Sequence, residues 1–492
     1  MTLLLAASPI LTALLLILGL GRSALVAGIA GLAAALLVAF LVPGFHVDTA
    51  ALGMALGYGG LTLLLVSYVL LGGVLLYQVL AAGGALTVIA EALAAALPDP
   101  ERRVLVLVLG LSVFFESATG FGIGIIVTAP LFLALGSRPH QAALLALLGQ
   151  CAVPWGALAI GTVLGGELTG LSADRLGALA GPMGLPLVLI CGAVALWITG
   201  GRASALRGAP ELLLYALVLT AGVSLGSLWL GVELAGCFAG LLVTGLGLLI
   251  GKIGGRGASE SGAAPAGSLR RALLPFAILL ACLFASRLIA PLKAWLETTA
   301  LLDLPAFGFK LAFLYHPGFW LLVTAALAVP ILGLKAGEIA AVLREAGRKW
   351  LVASLAVAGF LLFAQVMQAS GMTRALAEAV AAATGPLYVL LLPFVGGLGG
   401  FLTASNAGSN AMFAQFQLAV AEALALPAEP VAAAQNAAGA NVTLASPGRV
   451  VLAATIVGLL GREGALMRPA LLVAGAGLAA MSVMLWGWLR WL

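Results

Sequence analysis

Charge is scarce in this chain. Only 8% of its 492 residues are Asp, Glu, Lys or Arg, against about 25% in a soluble globular protein. A water-facing surface over most of the chain is therefore excluded. Histidine is scarcer still: His46, His140 and His316 are the three in the chain, and they lie far apart at loops or helix boundaries. The four cysteines, Cys151, Cys191, Cys237 and Cys282, stand singly in apolar surroundings. They have no metal-ligand or disulfide spacing and read as small buried hydrophobes. Paired acids, a Ser–His dyad and a metal cluster are all missing, which argues against an intramembrane enzyme. The net charge of +5 comes from basic residues in loops, which fits membrane topology better than a nucleic-acid partner.

Hydrophobic residues, in contrast, make up 63% of the chain. Apolar runs recur at 2–20, 24–42, 59–82, 104–115, 179–199, 212–230, 234–250, 272–285, 318–334, 350–363, 386–402 and 470–489. A run of about 20 such residues spans a bilayer as a helix. The expected fold is an all-α polytopic integral membrane protein with about 11–14 transmembrane helices, some interrupted or re-entrant. No basic segment precedes the first run, and Arg22 follows it, so the opening reads as a first membrane helix and not as a cleaved signal.

One segment, "GKIGGRGASESGAAPAGSLRR" at 251–271, is rich in Gly, Ser and Ala and reads as a flexible linker. It divides the chain into a first membrane repeat, 1–250, and a second, 272–492. The basic residues Arg22, Arg102, Arg103, Arg202, Arg207, Lys252, Arg256, Arg270, Arg271, Lys335, Arg344, Arg348 and Lys349 are expected in loops that can share one face. The positive-inside rule then places the linker in the cytoplasm and the N-terminus outside. Arg138 reads as another topogenic residue.

Each half holds one polar island. In "FFESATGFGIGIIVTAP", 114–130, Glu116 lies deep in an apolar run. An ionised acid at mid-bilayer costs ~2.5–3.5 kcal/mol on insertion scales, so a buried one is a functional candidate. Gly120, Gly122 and Gly124 are not a dinucleotide motif, since no strand–turn–helix context surrounds them. In a membrane helix they permit close packing or an unwound backbone. In "GGFLTASNAGSNAMFAQFQ", 399–417, Thr403, Ser405, Asn406, Ser409, Asn410, Gln415 and Gln417 gather without a charge among them.

The two islands share a plan. Each is followed by an apolar stretch, a Pro-bearing turn ("SRPHQ", 137–141; "ALPAEPV", 425–431) and a Pro-interrupted segment ("GQCAVPWGA", 149–157; "AQNAAGANVTLASPGR", 434–449). Paired interrupted helices in inverted repeats are the pattern of a secondary transporter, whose exposed N–H groups bind an anion.

With these motifs in hand, the chain resembles the bacterial L-lactate permease family. "FFESATGFG" carries the resemblance through Glu116, Ala118, Gly120, Phe121 and Gly122. "GGFLTASNAGSNAMFA" carries it through Phe401, Leu402, Thr403, Ser405, Ser409, Asn410 and Phe413. "SPGRVVLAATIVGLLGREGALMR" carries it through Ser446, Pro447, Val457, Gly458, Leu459, Gly461 and Glu463. Asn406 stands where the family commonly has Asp, and Thr443 where it has Lys; Ile123 and Gly124 replace a Thr-Pro pair. Losing one member of a buried ion pair strands a charge, whereas losing both leaves a neutral site. Asn406 and Thr443 are thus read as a dropped pair, with Arg449 as the nearest remaining cation.

The resemblance implies uptake of a 2-hydroxymonocarboxylate such as lactate or glycolate together with a proton, in a bacterial inner membrane. Glu116 is the expected proton carrier. The expected substrate-binding residues are Ser117, Thr119, Gly120, Phe121, Gly122, Thr403, Ser405, Asn406, Ser409 and Asn410, with Asn436, Asn441 and Ser446 behind them. No metal or cofactor is expected, and a second copy of the chain stays open as a partner. Sodium coupling is the nearest alternative, because Ser/Asn tips with free carbonyls also suit Na⁺. A channel is a further alternative, though it needs no matched pair of tips.

Overall fold

The protein is described here from a computed structural model covering residues 2–120, 122–253 and 266–491. The central part of the expected linker, 254–265, lies outside the described residues, as does Phe121. Among those described, nine helices are long and apolar enough to cross a membrane, and five shorter apolar helices accompany them. One of the nine, Ala173–Trp229, runs 57 residues but bends where Gly200 and Gly201 leave helical geometry, Gly201 at φ 64°. It therefore holds two of the apolar runs seen in the sequence. Another, Met372–Thr403, contains a 3-10 turn at Gly385–Leu387. Away from the helices, the stretch near residue 305 folds as a small antiparallel hairpin, Leu301–Leu304 with Phe309–Ala312.

Four helices form a layer on one side of the site: Ala24–Leu41, Thr49–Ala82, Pro317–Leu332 and Ala336–Ala369. Apolar lipid gives helices no hydrophobic reason to associate, so small residues that allow close van der Waals approach do that work. Here Gly28 meets Gly359: a Cβ on Gly28 would lie 3.1 Å from the Gly359 Cα. A hydroxyl contact, Ser67 Oγ to Ser354 Oγ at 2.8 Å, and a bond from Trp350 Nε1 to the Ser67 carbonyl at 2.9 Å tie the second and fourth helices.

Beside this layer lie two units with the same order of elements. The first comprises helices Ser112–Thr119, Ile123–Ala134 and Pro139–Leu148, a 3-10 turn Val153–Trp155, and helix Gly156–Thr169. The second comprises Tyr388–Thr403, Asn406–Ala423, Ala428–Asn441, a 3-10 turn Val442–Ala445, and Pro447–Ile456. Each polar island is a helix break, and each Pro-interrupted segment is a second one. The units interlock, with Gly156–Thr169 packed on Asn406–Ala423 and Pro447–Ile456 packed on Ile123–Ala134 and Pro139–Leu148. Arg102 and Arg207, expected in loops, instead sit in helices, and these two segments distant in sequence meet: in Pro100–Leu105, Arg102 pairs with Glu211 at 2.6 Å and Glu101 with Arg207 at 2.5 Å, the partners lying in Ala173–Trp229.

Candidate functional site

The first break is made by glycine. Helix Ser112–Thr119 stops where Gly120 adopts φ 70°, ψ −156°, and the next helix starts after Gly122 at φ 77°. Such angles exclude most L side chains. The turn brings the Gly122 N–H back to Glu116, whose Oε1 accepts it at 3.3 Å. The same oxygen accepts from Arg449 Nη2 at 3.0 Å. Both side chains are withdrawn from solvent, Arg449 at 9% and Glu116 at 3% exposure. Arg449 Nη1 donates to Gln150 Oε1, so each terminal nitrogen of the guanidinium has its own acceptor. Glu116 Oε2 has no partner among the described residues.

Arg449 reaches this place from the second unit. Pro447 opens its helix at the first position, where a missing N–H costs nothing, and the Ser446 hydroxyl donates to the Thr443 carbonyl at 2.7 Å.

At the second break Ala404 sits in the left-handed region at φ 54°, which costs an L residue about 1–2 kcal/mol. Ser405 then caps the following helix by accepting from the Gly408 N–H at 3.3 Å. The Thr403 hydroxyl lies 2.8 Å from the Gly399 carbonyl and 2.9 Å from that of Ser405. In the first unit the chain is also unwound near Gly156, where Leu158 and Ala159 carry φ of 50° and 60°.

Behind Asn406 runs a buried amide network. Asn436 Oδ1 accepts from Asn406 Nδ2 at 2.9 Å and from Asn410 Nδ2 at 2.8 Å, while Asn436 Nδ2 donates to Thr162 Oγ1 at 3.0 Å. Asn410 Nδ2 also donates to the Gly161 carbonyl at 2.9 Å. Gln435 continues the network by donating to Ser409 Oγ at 3.1 Å, and Gln417 by donating to Gln435 Oε1 at 3.1 Å. Fully bonded networks of this kind hold a polar interior rigid. Asn406 Oδ1 is the exception, buried and without a partner among the described residues.

Both breaks open onto a cavity of about 310 Å³. Glu116 and Gly120 line it from the first break, Thr403, Ser405 and Asn406 from the second, and Arg449 from the helix after the last turn. Ala24, Leu70, Ala353, Val357 and Phe360 close it from the four-helix layer.

The other expected residues stand elsewhere. Ser409, Asn410 and Asn436 belong to the network behind the cavity, and Gly122 contributes only its N–H to Glu116. Ser117 turns to the helix Val232–Ile253, where a Cβ on Gly236 would fall 2.9 Å from its own Cβ. The Thr119 hydroxyl donates to the Phe115 carbonyl at 2.7 Å. Asn441 is buried with neither amide atom bonded among the described residues, outside the cavity lining. Ser446 serves its own turn, and Phe121 lies outside the described residues. Gln150, Thr162 and Gln435 were not singled out from the sequence, though each is a polar residue in an apolar run. The site also differs from one of neutral donors alone, because Arg449 brings a cation to its wall.

A cavity at paired helix breaks, with a buried ion pair on its wall, inside a multi-pass membrane protein is the arrangement of a membrane transporter. The chain belongs to the L-lactate permease family, whose model matches residues 2–311 and 276–486. It is 27% identical over 454 residues to the L-lactate permease of Escherichia coli K12, covering 82% of this chain and 80% of that one. It is also 27% identical over 501 residues to the glycolate permease GlcA of the same organism, covering 90% and 88%. The L-lactate permease of Streptococcus iniae is 25% identical over 373 residues, covering 73% and 78%. The crystal structure of the Alcanivorax borkumensis YdaH transporter superposes with a TM-score of 0.48 at 15% identity, over 90% of this chain and 88% of that one.

Proposed function

We propose that this protein imports short 2-hydroxymonocarboxylates, lactate or glycolate, together with a proton across the bacterial inner membrane. The reading rests on relatives named for lactate and for glycolate. The observation that carries it furthest is Glu116, a buried acid on the wall of the cavity between the two breaks. Moving a monoanion inward against an inside-negative potential costs ~2.3 kcal/mol per 100 mV. One proton moved with it makes the step electroneutral, and the proton gradient then drives accumulation. Glu116 is the group that carries this proton. Thr403, Ser405 and Asn406 supply hydrogen bonds to the acid from the second break.

In this account residues 1–250 and 272–492 are two inverted repeats joined by a cytoplasmic linker at 251–271, with the N-terminus outside. Alternating access is a movement of the two interlocked units against the four-helix layer. The test is uptake into proteoliposomes with a proton or a sodium gradient imposed separately. Lactate uptake driven by the inward proton gradient at zero sodium supports the reading. Uptake driven only by sodium at fixed pH overturns the coupling, and uptake indifferent to a panel of C2–C4 2-hydroxy acids overturns the substrate.

A further inference from the structure

We propose that Arg449 is the anchor for the substrate carboxylate, and that Glu116 holds this guanidinium only while the site is empty. The inference rests on the proposed function and names the group that does the binding. A buried guanidinium must keep hydrogen-bonded anionic or polar partners. Among the described residues Arg449 has two, and they differ. Gln150, outside the cavity lining, takes Nη1, while Glu116, on the cavity wall, takes Nη2 at 3.0 Å. The amide is neutral at every pH, so its bond persists. The carboxylate is replaceable by another carboxylate, because the planar fork of an arginine matches either one.

The exchange balances. Glu116 takes a proton on a carboxylate oxygen, forming an O–H bond, and its ion pair with Arg449 breaks. The substrate carboxylate forms an ion pair in its place. The cavity is neutral before, with Arg449 positive and Glu116 negative, and neutral after, with Arg449 positive, Glu116 protonated and the substrate negative. Glu116 Oε2, buried and unbonded among the described residues, is a free position for the proton. One acid and one proton therefore enter together, because the deprotonated Glu116 and the substrate compete for one guanidinium.

Little else charged faces the pair. The helices packed on Ser112–Thr119 are Thr49–Ala82, Ile123–Ala134, Gly156–Thr169 and Val232–Ile253. The first two contain no Asp, Glu, Lys or Arg, and the others carry Glu167, Glu233 and Lys252 only near their ends. Cys237 and the tyrosines Tyr58, Tyr68 and Tyr77 are the remaining titratable residues on these helices. On the side of Arg449, Pro139–Leu148 brings His140, which is engaged with the Ala465 carbonyl at 3.0 Å, and the packed helix Glu463–Trp491 carries Glu463, which accepts from the Gly461 N–H, with Arg468 and Arg490.

The experiment is exchange of radiolabelled lactate in proteoliposomes holding the full chain, with KM read as a function of pH. In the wild type KM rises with pH, approaching about tenfold per unit, because binding of the substrate requires uptake of one proton. In Glu116→Gln exchange persists and KM no longer depends on pH. In Arg449→Lys KM rises at least tenfold while the pH dependence remains. Arg449→Gln abolishes saturable exchange. Because that variant strands a carboxylate, the double variant Glu116→Gln/Arg449→Gln, which leaves no unpaired charge, is measured beside it after size-exclusion chromatography. A monodisperse double variant without saturable exchange supports the anchor. A wild-type KM in either Arg449→Gln protein, or an unchanged rise of KM with pH in Glu116→Gln, overturns it. If the wild type carries other monocarboxylates but neither lactate nor glycolate, the substrate reading fails and the same KM comparisons decide the anchor with the acid that is carried. Uptake of neutral solutes alone overturns both.

Discussion

Arg449 Nη2 lies 3.0 Å from Glu116 Oε1, although the two residues are 333 positions apart in the chain. Each comes from a different unit, one from the helix before the first glycine break and one from the helix after the last turn. The contact locks the two units together at the wall of the cavity. A device that must open and close around a substrate has reason to place its replaceable bond there.

The pair has a stability consequence. Removing one partner of a buried ion pair costs about 3–5 kcal/mol, because the other charge is left without compensation, whereas removing both is far milder. Arg449→Gln alone lowers the thermal midpoint in detergent, and the double variant with Glu116→Gln recovers most of that loss. Equal midpoints in the single and double variants would show that the two side chains are not coupled.

The amide network predicts a different sensitivity. Asn436 Oδ1 accepts from both Asn406 and Asn410. Truncating Asn436 to Ala orphans the Asn406 donor and leaves Asn410 Nδ2 with the Gly161 carbonyl, and an unsatisfied buried group costs about 1–3 kcal/mol. Asn406→Ala leaves Asn436 Oδ1 its bond from Asn410 and Asn436 Nδ2 its bond to Thr162, so it is expected to retain more stability than Asn436→Ala. Thermal melting of both variants in one detergent checks the order.

The contact between Gly28 and Gly359 predicts intolerance to bulk. Gly359→Val forces Ala24–Leu41 away from Ala336–Ala369, and overpacking of this kind costs about 1–3 kcal/mol. Phe360, next in sequence, lines the cavity, so the same variant raises KM for the substrate. A variant with wild-type melting and wild-type KM would show that this crossing is loosely packed.

Asn406→Asp replaces a donor that now faces Asn436 Oδ1 with an acceptor, which adds a repulsion and a buried charge. If Asn406 and Thr443 stand in for a lost pair, Thr443→Lys rescues Asn406→Asp. Expression and uptake of the double variant then exceed those of the single. Equal values in both count against the pair.

Much of this site could be read along the chain. Glycines and uncharged polar residues inside apolar runs marked both tips, because only unwound or closely packed backbone uses them there, and the structure breaks at 119–123 and 403–406. The Pro-bearing segments marked the second breaks for the same reason. Side-chain direction was not legible. Ser117 follows Glu116 by one residue, about 100° around the helix, and is turned to Gly236 of the neighbouring helix. Thr119 spends its hydroxyl on its own helix. Arg449 was visible as a nearby cation, but its pairing with Glu116 depends on how two units interlock, which local pattern does not encode. The apolar wall from Ala24 to Phe360 was hidden because Ala, Leu and Phe look alike whether they face lipid or substrate.

The most direct test is Glu116→Gln in proteoliposomes, assayed both for accumulation under an inward proton gradient and for counterflow with lactate on both sides. The wild type is expected to do both, and the variant to keep counterflow while failing to accumulate lactate above equilibrium. Proton-driven accumulation at the wild-type level in Glu116→Gln would contradict Glu116 as the proton carrier.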